Sequence, residues 1–213
     1  MTTAHSTHTD AVPELAGIQV HGITREAFLV RGALAAGAVY GMGMIGPFVR
    51  QAVAQEEMDD LGILNFALTL EYLEAEFYKV APQQAKLKGE VLQVAKEIGA
   101  NEAEHVAFLT KAITDAGGTP VAAPKVSFPM KDTASFLTLA MTFEDTGVYA
   151  YNGAAPAIES KDILAAAGTI VQIEARHAAA IRLLANQTPA PDAFDKTLTV
   201  DEVLAAVKPF IKA

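Results

Sequence analysis

The chain has 213 residues, of which 51% are hydrophobic and 19% are charged, and its formal net charge is -9. This composition is typical of a folded domain with a sizeable core and excludes a disordered chain. The acidic balance argues against nucleic acid as a partner, because binding phosphates requires a basic surface. The chain has no cysteine, which excludes disulfides and thiolate metal sites. Any metal must therefore be held by oxygen and imidazole nitrogen.

The sequence divides into two parts with different composition. Residues 1–56 consist of a polar leader without periodicity, followed by an apolar stretch that is rich in glycine and alanine. Residues 57–213 carry the long periodic segments that are typical of packed helices. We therefore predict an N-terminal leader with a signal-like segment, followed by one helical domain with a C-terminal tail.

The apolar stretch at residues 24–48 has the layout of a secretory signal, with Arg25 and Arg31 near its start and small residues up to a cleavage site after Ala54. It resembles a twin-arginine export signal, although Glu26 occupies the place of the second arginine. We predict export to the periplasm or cell envelope. The alternative is a cytoplasmic protein in which this stretch is an N-terminal helix. No permanent membrane span is expected, because Arg31 interrupts the apolar run.

Four long segments of the domain have apolar residues at spacings of three and four, which predicts four amphipathic helices. We predict them over residues 57–81, 89–116, 133–158 and 161–186, with boundaries at Pro82, Gly117, Asp132 and Ser160. No alternating pattern predicts a strand. The tail VDEVLAAVKPFIKA predicts a short amphipathic helix before Pro209.

The lengths of the loops predict how these helices are connected. The first and third loops are short, which favours antiparallel neighbours. The loop at residues 117–132 is long enough to reach roughly 50 Å when extended, so it can run the length of a bundle. The expected fold is all-α: a four-helix bundle of two antiparallel hairpins joined by a long crossover, with a short C-terminal helix.

Two of the predicted helices carry the pattern Glu-x-x-His. Glu102 and His105 lie in the second helix, and Glu174 and His177 lie in the fourth. Residues three apart on a helix point the same way, so the carboxylate and the imidazole can share one ion. Both pairs lie on the apolar stripe that should be buried. A single pair is common on a solvated helix face, but two copies in one bundle favour a metal site.

The other two helices each offer an inward carboxylate. In the third helix, Glu144 lies on the apolar stripe. In the first helix, Glu71 lies on one apolar stripe and Glu74 on a neighbouring one, so the choice between them stays open, with Glu71 preferred. Tyr78 and Tyr149 are candidate catalytic residues that could donate an electron or a hydrogen bond. Tyr151 is a further candidate, and simple packing is the alternative for each tyrosine.

The charges of these residues also favour a metal site. Four buried carboxylates carry a charge of about -4, which two divalent cations would neutralise. The predicted metal ligands are Glu71, Glu102, His105, Glu144, Glu174 and His177. The alternative is a network of hydrogen bonds among buried polar side chains that holds the helices in register.

The segments that carry these residues resemble the ferritin-like superfamily. ILNFALTLEYLEAEFY and NEAEHVAF resemble the first two helices of ferritins and bacterioferritins. FEDTGVYAYNGAA and IEARHAAAIR resemble the last two helices of a bacterial subgroup related to plant desiccation-related proteins. The resemblance covers about residues 58–211. The tail lacks the long fifth helix of cage-forming ferritins, so an iron-storage shell is not implied.

The resemblance implies a protein with two iron ions that oxidises Fe(II) or reduces oxygen or peroxide. Two manganese ions that disproportionate peroxide are one alternative, because the same ligand set serves both metals. A non-catalytic stress or desiccation-related protein that sequesters metal is another. The expected partners are metal ions, oxygen or peroxide and, by analogy with similar bundles, a second copy of the chain.

Overall fold

The computed structural model describes residues 58–212, and this part of the chain is a helical bundle without strands. Its helices are α1 (Asp60–Gln84), α2 (Gly89–Asp115), α3 (Thr133–Ala154), α4 (Lys161–Leu184) and α5 (Val200–Val207). Short 3-10 turns at Ala155–Ala157 and Lys208–Phe210 follow α3 and α5. The predicted all-α fold is confirmed. The leader and the export signal predicted within residues 1–56 lie outside the described residues and stay predictions.

The two hairpins form as predicted, with α1 packed along α2 and α3 packed along α4. Helix starts follow the expected caps. The Asp132 carboxylate accepts from the backbone N–H of Ser135 at 2.9 Å, and the Ser160 hydroxyl accepts from that of Ile163 at 3.4 Å. The Asp60 carboxylate accepts from the Ser160 N–H at 2.8 Å. The start of α1 is therefore tied to the start of α4.

The end of α1 differs from the prediction. The helix was expected to end at Ala81, before Pro82, but it continues to Gln84. Pro82 lies in the last turn, where its fixed φ suits a helix and only its own N–H is lost. The Gln84 side chain donates to the carbonyls of Phe128 at 2.6 Å and Met130 at 3.1 Å. These bonds hold the last turn against the crossover.

The long connection between α2 and α3 crosses from one end of α1 to the other. The backbone N–H of Val121 donates to the Asn65 side chain at 2.8 Å, near the start of α1, and Gln84 holds the connection near its end. The C-terminal tail covers the connection, because Val126 forms an isolated antiparallel bridge with Ile211. The predicted long crossover is therefore present.

The hydrophobic core has two parts. One part surrounds Phe77 and includes the buried phenylalanine rings of α3, and the other includes Leu68, Leu109 and Tyr151. On α1, Glu71 and Glu74 lie between Leu68 and Phe77 in sequence. Apolar packing thus flanks the carboxylates on both sides and keeps bulk water from them. Within residues 58–212, no helix combines the length and apolar character needed to cross a membrane.

Replacing Phe77 should destabilise the bundle severely. Its ring is fully buried, stacks on Phe136 at 5.4 Å and meets Phe143 edge-on at 4.9 Å. We expect Phe77→Ala to lower the free energy of unfolding by about 3–5 kcal/mol, because it leaves a cavity in a packed core. Phe194, which is 89% exposed, is the matched control. Phe194→Ala should change stability by less than about 0.5 kcal/mol. Equal denaturation midpoints for the two variants would contradict this packing.

Candidate metal centre

The six side chains predicted as metal ligands converge inside the bundle. They form two overlapping groups, within each of which one ligand atom per residue lies within 4.8 Å of all the others. The groups are Glu71, Glu102, His105 and Glu174, and Glu102, Glu144, Glu174 and His177. Glu102 and Glu174 belong to both. A buried cluster of this kind could hold metal ions.

His105 faces three carboxylates through a single nitrogen. Its Nδ1 lies 3.2 Å from Glu71 Oε2, 3.1 Å from Glu102 Oε2 and 3.1 Å from Glu174 Oε1. The spacing of three on α2 aims Glu102 and His105 the same way, and α1 and α4 supply the other two carboxylates. The His105 side chain is 11% exposed, whereas these carboxylates are at most 1% exposed. The cluster thus comes nearest to the surface at His105.

His177 has the corresponding place in the second group. Its Nδ1 lies 2.9 Å from Glu102 Oε1 and 3.4 Å from Glu144 Oε2. Its other nitrogen, Nε2, lies 3.0 Å from Nδ2 of Asn101. No sequence pattern predicted a role for Asn101, which is marked only by its place directly before Glu102. A partner on the outer nitrogen fixes the orientation of an imidazole and leaves the inner nitrogen free for a metal.

Two tyrosines reach from one hairpin to a carboxylate of the other. The Tyr151 hydroxyl on α3 donates to Glu71 Oε1 at 2.5 Å, and the Tyr78 hydroxyl on α1 donates to Glu144 Oε1. Tyr149 makes no side-chain hydrogen bond to the cluster within the described residues, and its carbonyl accepts from the backbone of Leu198. The structure therefore brings Tyr78 and Tyr151 to the carboxylates and leaves Tyr149 apart from them.

The two hairpins repeat one arrangement of residues. Tyr78 follows Glu71 by seven positions on α1, and Tyr151 follows Glu144 by seven on α3. The partner helices α2 and α4 each carry one Glu-x-x-His. Each tyrosine binds the carboxylate of the opposite hairpin. The site is therefore built from two near-equivalent halves.

Glu74 adds a carboxylate that this repeat does not include. The side chains of Glu74 and Glu71 are both buried, so burial does not decide which of them is the metal ligand of α1. A Cβ placed on Gly147 of α3 would lie 3.3 Å from Glu74 Oε1 and 3.1 Å from Glu174 Oε2. Glu74 thus approaches Glu174 across the bundle, although only Glu71 belongs to one of the four-residue groups.

The hydrogen bonding of the cluster is incomplete in a way that fits metal ions. Five buried atoms have no partner with good hydrogen-bond geometry: Oε1 of Glu102, Oε2 of Glu144, both carboxylate oxygens of Glu174, and Nδ1 of His177. All of them except Glu174 Oε2 still lie within 3.4 Å of an oppositely charged atom in an imidazole–carboxylate pair. An unsatisfied buried polar atom costs about 1–3 kcal/mol. All five atoms belong to the two groups, and carboxylate oxygen with imidazole nitrogen suits iron and manganese. The residues present therefore fit two such ions.

Burial shifts the protonation of the carboxyl groups. It raises the pKa of four of them: Glu71, Glu74, Glu144 and Glu174. For Glu71 the pKa rises to about 8. Glu102 differs, because burial alone would raise its pKa, but hydrogen bonds with His105 and His177 lower it to about 2. Glu102 is thus the carboxylate that stays ionised most readily.

The two imidazoles are held in their charged form when no metal is bound. Burial alone would lower their pKa values, but hydrogen bonds with the carboxylates outweigh burial. The pKa of His105 rises to about 12 through Glu102 and Glu174. The pKa of His177 rises to about 10 through Glu102 and Glu144. In the ion-free protein at neutral pH, both imidazoles therefore carry a proton that a metal would have to displace.

An apolar cavity of 340 Å³ borders the cluster. All four long helices line it, with side chains such as Leu70, Leu109 and Ile163, and the ring of Tyr151 forms part of its wall. Because the Tyr151 hydroxyl binds Glu71, this side chain contacts both the cavity and a carboxylate of the cluster.

Comparisons with known proteins agree with the helical fold described above. The model of the ferritin-like domain matches residues 59–187. The crystal structure of a conserved hypothetical protein from Mycobacterium tuberculosis superposes with a TM-score of 0.55 at 20% sequence identity, covering 63% of this chain and 96% of that one. That likeness shows the fold alone. A comparison with curated proteins found no match. Because the domain model spans more than half of the chain and the fold agrees with it, the chain belongs to the ferritin-like family.

Proposed function

We propose that the cluster holds two iron ions and that the protein oxidises Fe(II) with oxygen or peroxide. The observation that carries this proposal is the overlap of the two ligand groups. Glu102 and Glu174 belong to both groups, so each can offer one oxygen to each ion. Two ions held by these shared carboxylates would be close enough for both to act on one small molecule.

Iron bound here would supply redox chemistry: two Fe(II) ions give two electrons, which with two protons reduce one peroxide to two waters or one dioxygen to peroxide. The protein's own residues position the ions and exclude water. Tyr78 and Tyr151 each donate a hydrogen bond to one carboxylate oxygen, of Glu144 and Glu71 respectively. Burial raises the pKa of both tyrosines, so their hydroxyls keep the proton that makes these bonds.

Two features near the cluster suit the approach of small reactants. Dioxygen is apolar, and the apolar cavity beside Tyr151 offers it a favourable environment next to Glu71. Hydrated ions and peroxide require a polar entry, and the partly exposed imidazole of His105 is the polar group nearest to the surface. In this proposal, dioxygen would approach past Tyr151, and ions and peroxide would approach past His105.

Manganese is the second candidate, because oxygen and imidazole ligands bind manganese as well as iron. Two manganese ions would favour disproportionation of peroxide. Elemental analysis of protein purified from its own host, together with an assay of oxygen release from peroxide, separates the two metals. A protein that binds iron but oxidises none of it would instead sequester metal.

We expect the full chain to oxidise Fe(II) faster than the uncatalysed reaction does. Ion-free protein is loaded with Fe(II) without oxygen, then mixed with peroxide or air, and Fe(III) formation is followed by absorbance. Glu102→Gln should reduce the rate to near background, because it removes the carboxylate that both groups share. Equal rates with and without the unsubstituted protein would contradict the proposal.

Replacing a ligand that both groups share should remove more bound metal than replacing a ligand of one group. We expect the unsubstituted chain to bind about two Mn(II) ions, Glu71→Gln about one, and Glu102→Gln fewer than one, since loss of a ligand disables only the position it serves. Glu76→Gln, which removes a charge at a side chain 39% exposed on the same helix, should bind about two, because Glu76 lies outside both groups. Bound metal per chain is measured by elemental analysis after desalting. Identical counts for Glu71→Gln and Glu102→Gln would argue against bridging.

Metal binding should release protons and strengthen as pH rises. At pH 7 both imidazoles are protonated in the ion-free protein, because their pKa values of about 10 and 12 lie above that pH. Metal ligation requires them neutral, so filling both positions should release at least two protons. Calorimetric titration in buffers of different ionisation enthalpy measures this number. Binding without proton release would contradict ligation by His105 and His177.

A further inference from the structure

The apolar cavity beside Tyr151 is larger than dioxygen or hydrogen peroxide requires. Its volume is 340 Å³. Each of these reactants has two heavy atoms, and one water molecule takes up about 30 Å³ of the liquid. In another protein, an engineered apolar cavity of about 150 Å³ admits benzene. The cavity in this chain therefore has room for an organic molecule of roughly ten carbon atoms.

The cavity has an open part at the surface and an inner part near the metal ligands. Phe108 is 47% exposed, and the side chains of Lys111 and Asp115 are 74% and 63% exposed, so these residues border the opening. Leu70 and Tyr151 also line the cavity but are buried, so they belong to its inner part. A ligand that enters beside Phe108 would thus extend toward Tyr151.

The walls favour a neutral, apolar molecule over a charged one. Most of the lining side chains are those of alanine, leucine, isoleucine and phenylalanine. Among the described residues that line the cavity, the charged ones are Lys111, Asp115 and Asp162, and Lys111 pairs with Asp115. Asp162 leaves a net charge of -1, which repels a carboxylate. A fatty acid is therefore a poor fit, whereas an uncharged hydrocarbon gains free energy by leaving water.

Tyr151 gives the inner part of the cavity a polar group. Its hydroxyl donates a hydrogen bond to Glu71 Oε1 at 2.5 Å, and Glu71 belongs to one of the two ligand groups. A phenolic oxygen that donates one hydrogen bond can still accept another. The cavity thus combines apolar walls with an acceptor for an O–H group, next to a residue of the metal centre.

We propose that the cavity binds the hydrocarbon part of a neutral alkyl hydroperoxide, with its O–H group toward Tyr151, and that this hydroperoxide is the peroxide reduced at the metal centre. The inference rests on the proposed function and names its substrate class. The hydroperoxide takes two electrons from two Fe(II) ions, and two protons. Its O–O bond breaks, one alcohol and one water form, and two Fe(III) remain. Hydrogen peroxide has no hydrocarbon part and gains nothing from the cavity.

Binding is tested first, in the ion-free full chain, by calorimetric titration with cumyl alcohol, the product that cumene hydroperoxide would leave. We expect one molecule to bind per chain. Ala167→Leu enlarges a side chain of the cavity wall and should weaken binding by at least about 10-fold. Ala165→Leu is the matched control, because Ala165 is exposed on the same helix and does not line the cavity. It should leave the affinity unchanged.

Denaturation of the ion-free variants separates loss of the cavity from loss of the fold. Filling a cavity ordinarily preserves or raises stability, so Ala167→Leu should unfold at the midpoint of the unsubstituted chain or above it. Ala112→Leu fills the cavity from α2 and provides a second variant if Ala167→Leu fails to fold. Folded variants of both kinds that bind cumyl alcohol as the unsubstituted chain does would overturn the inference.

A matched pair of ligands tests the argument from charge. 1-Octanol and octanoate have hydrocarbon chains of similar length, but octanoate carries a negative charge. We expect 1-octanol to bind the ion-free chain more tightly, because the cavity is apolar and Asp162 repels the carboxylate. Tighter binding of octanoate would contradict a neutral occupant and would indicate a fatty acid instead.

The substrate role is tested with two peroxides on the full chain loaded with Fe(II) without oxygen. Ala167→Leu should slow Fe(III) formation by cumene hydroperoxide at least about 10-fold and leave the rate with hydrogen peroxide unchanged, because only the organic peroxide uses the cavity. Ala165→Leu should change neither rate. One cumyl alcohol should form for every two Fe(III), as measured by chromatography. Equal effects of Ala167→Leu on both peroxides, or no effect on either, would contradict this role.

The outcomes distinguish this inference from the proposed function. If the loaded chain oxidises Fe(II) with hydrogen peroxide but the ion-free chain binds neither cumyl alcohol nor 1-octanol, the inference fails and the proposed function stands. If the chain binds no iron, the proposed function fails, and the substrate role of the cavity fails with it even where the alcohols bind.

Discussion

Burial of carboxylates in an apolar bundle is the constraint on which the rest of the structure depends. Isolated charges in such an interior cost several kcal/mol each, so the bundle must supply protons, hydrogen bonds or cations. Without ions, protonated imidazoles and raised carboxyl pKa values reduce the cost, but five buried polar atoms have no partner with good hydrogen-bond geometry. Two cations would bind these atoms and offset the cost of burying the carboxylates. This cost explains why the site should bind metal.

The fold meets this constraint through a duplicated arrangement. Each hairpin supplies one single carboxylate and one Glu-x-x-His, and the long crossover joins the hairpins with their charged faces opposed. Hydrogen bonds from Tyr78 and Tyr151 link the hairpins at the metal ligands themselves. The pairing of the two hairpins creates the site, and hydrogen bonds within the site in turn stabilise that pairing. The halves differ at the position that is Glu74 in one hairpin and Gly147 in the other.

Local patterns predicted most of the fold and the candidate ligands, because helix periodicity and a spacing of three can be read along one segment. Contacts between segments were harder to predict. Asn101 meets His177 only through the crossing of α2 and α4. Tyr149 and Tyr151 are two positions apart and so lie on different helix faces, and the spacing of seven from Glu144 was the signal for Tyr151. The buried carboxylate of Glu74 lies beside the space left by Gly147, which no sequence pattern shows.

The most direct test of this account is a crystal structure of the full chain loaded with iron or manganese, with anomalous scattering measured at the edge of the metal. The account predicts two anomalous peaks about 3.5–4 Å apart, the spacing of two-metal sites, with Glu102 and Glu174 bridging them. Peaks elsewhere on the protein, or none inside the bundle at saturating metal, would contradict the central claim.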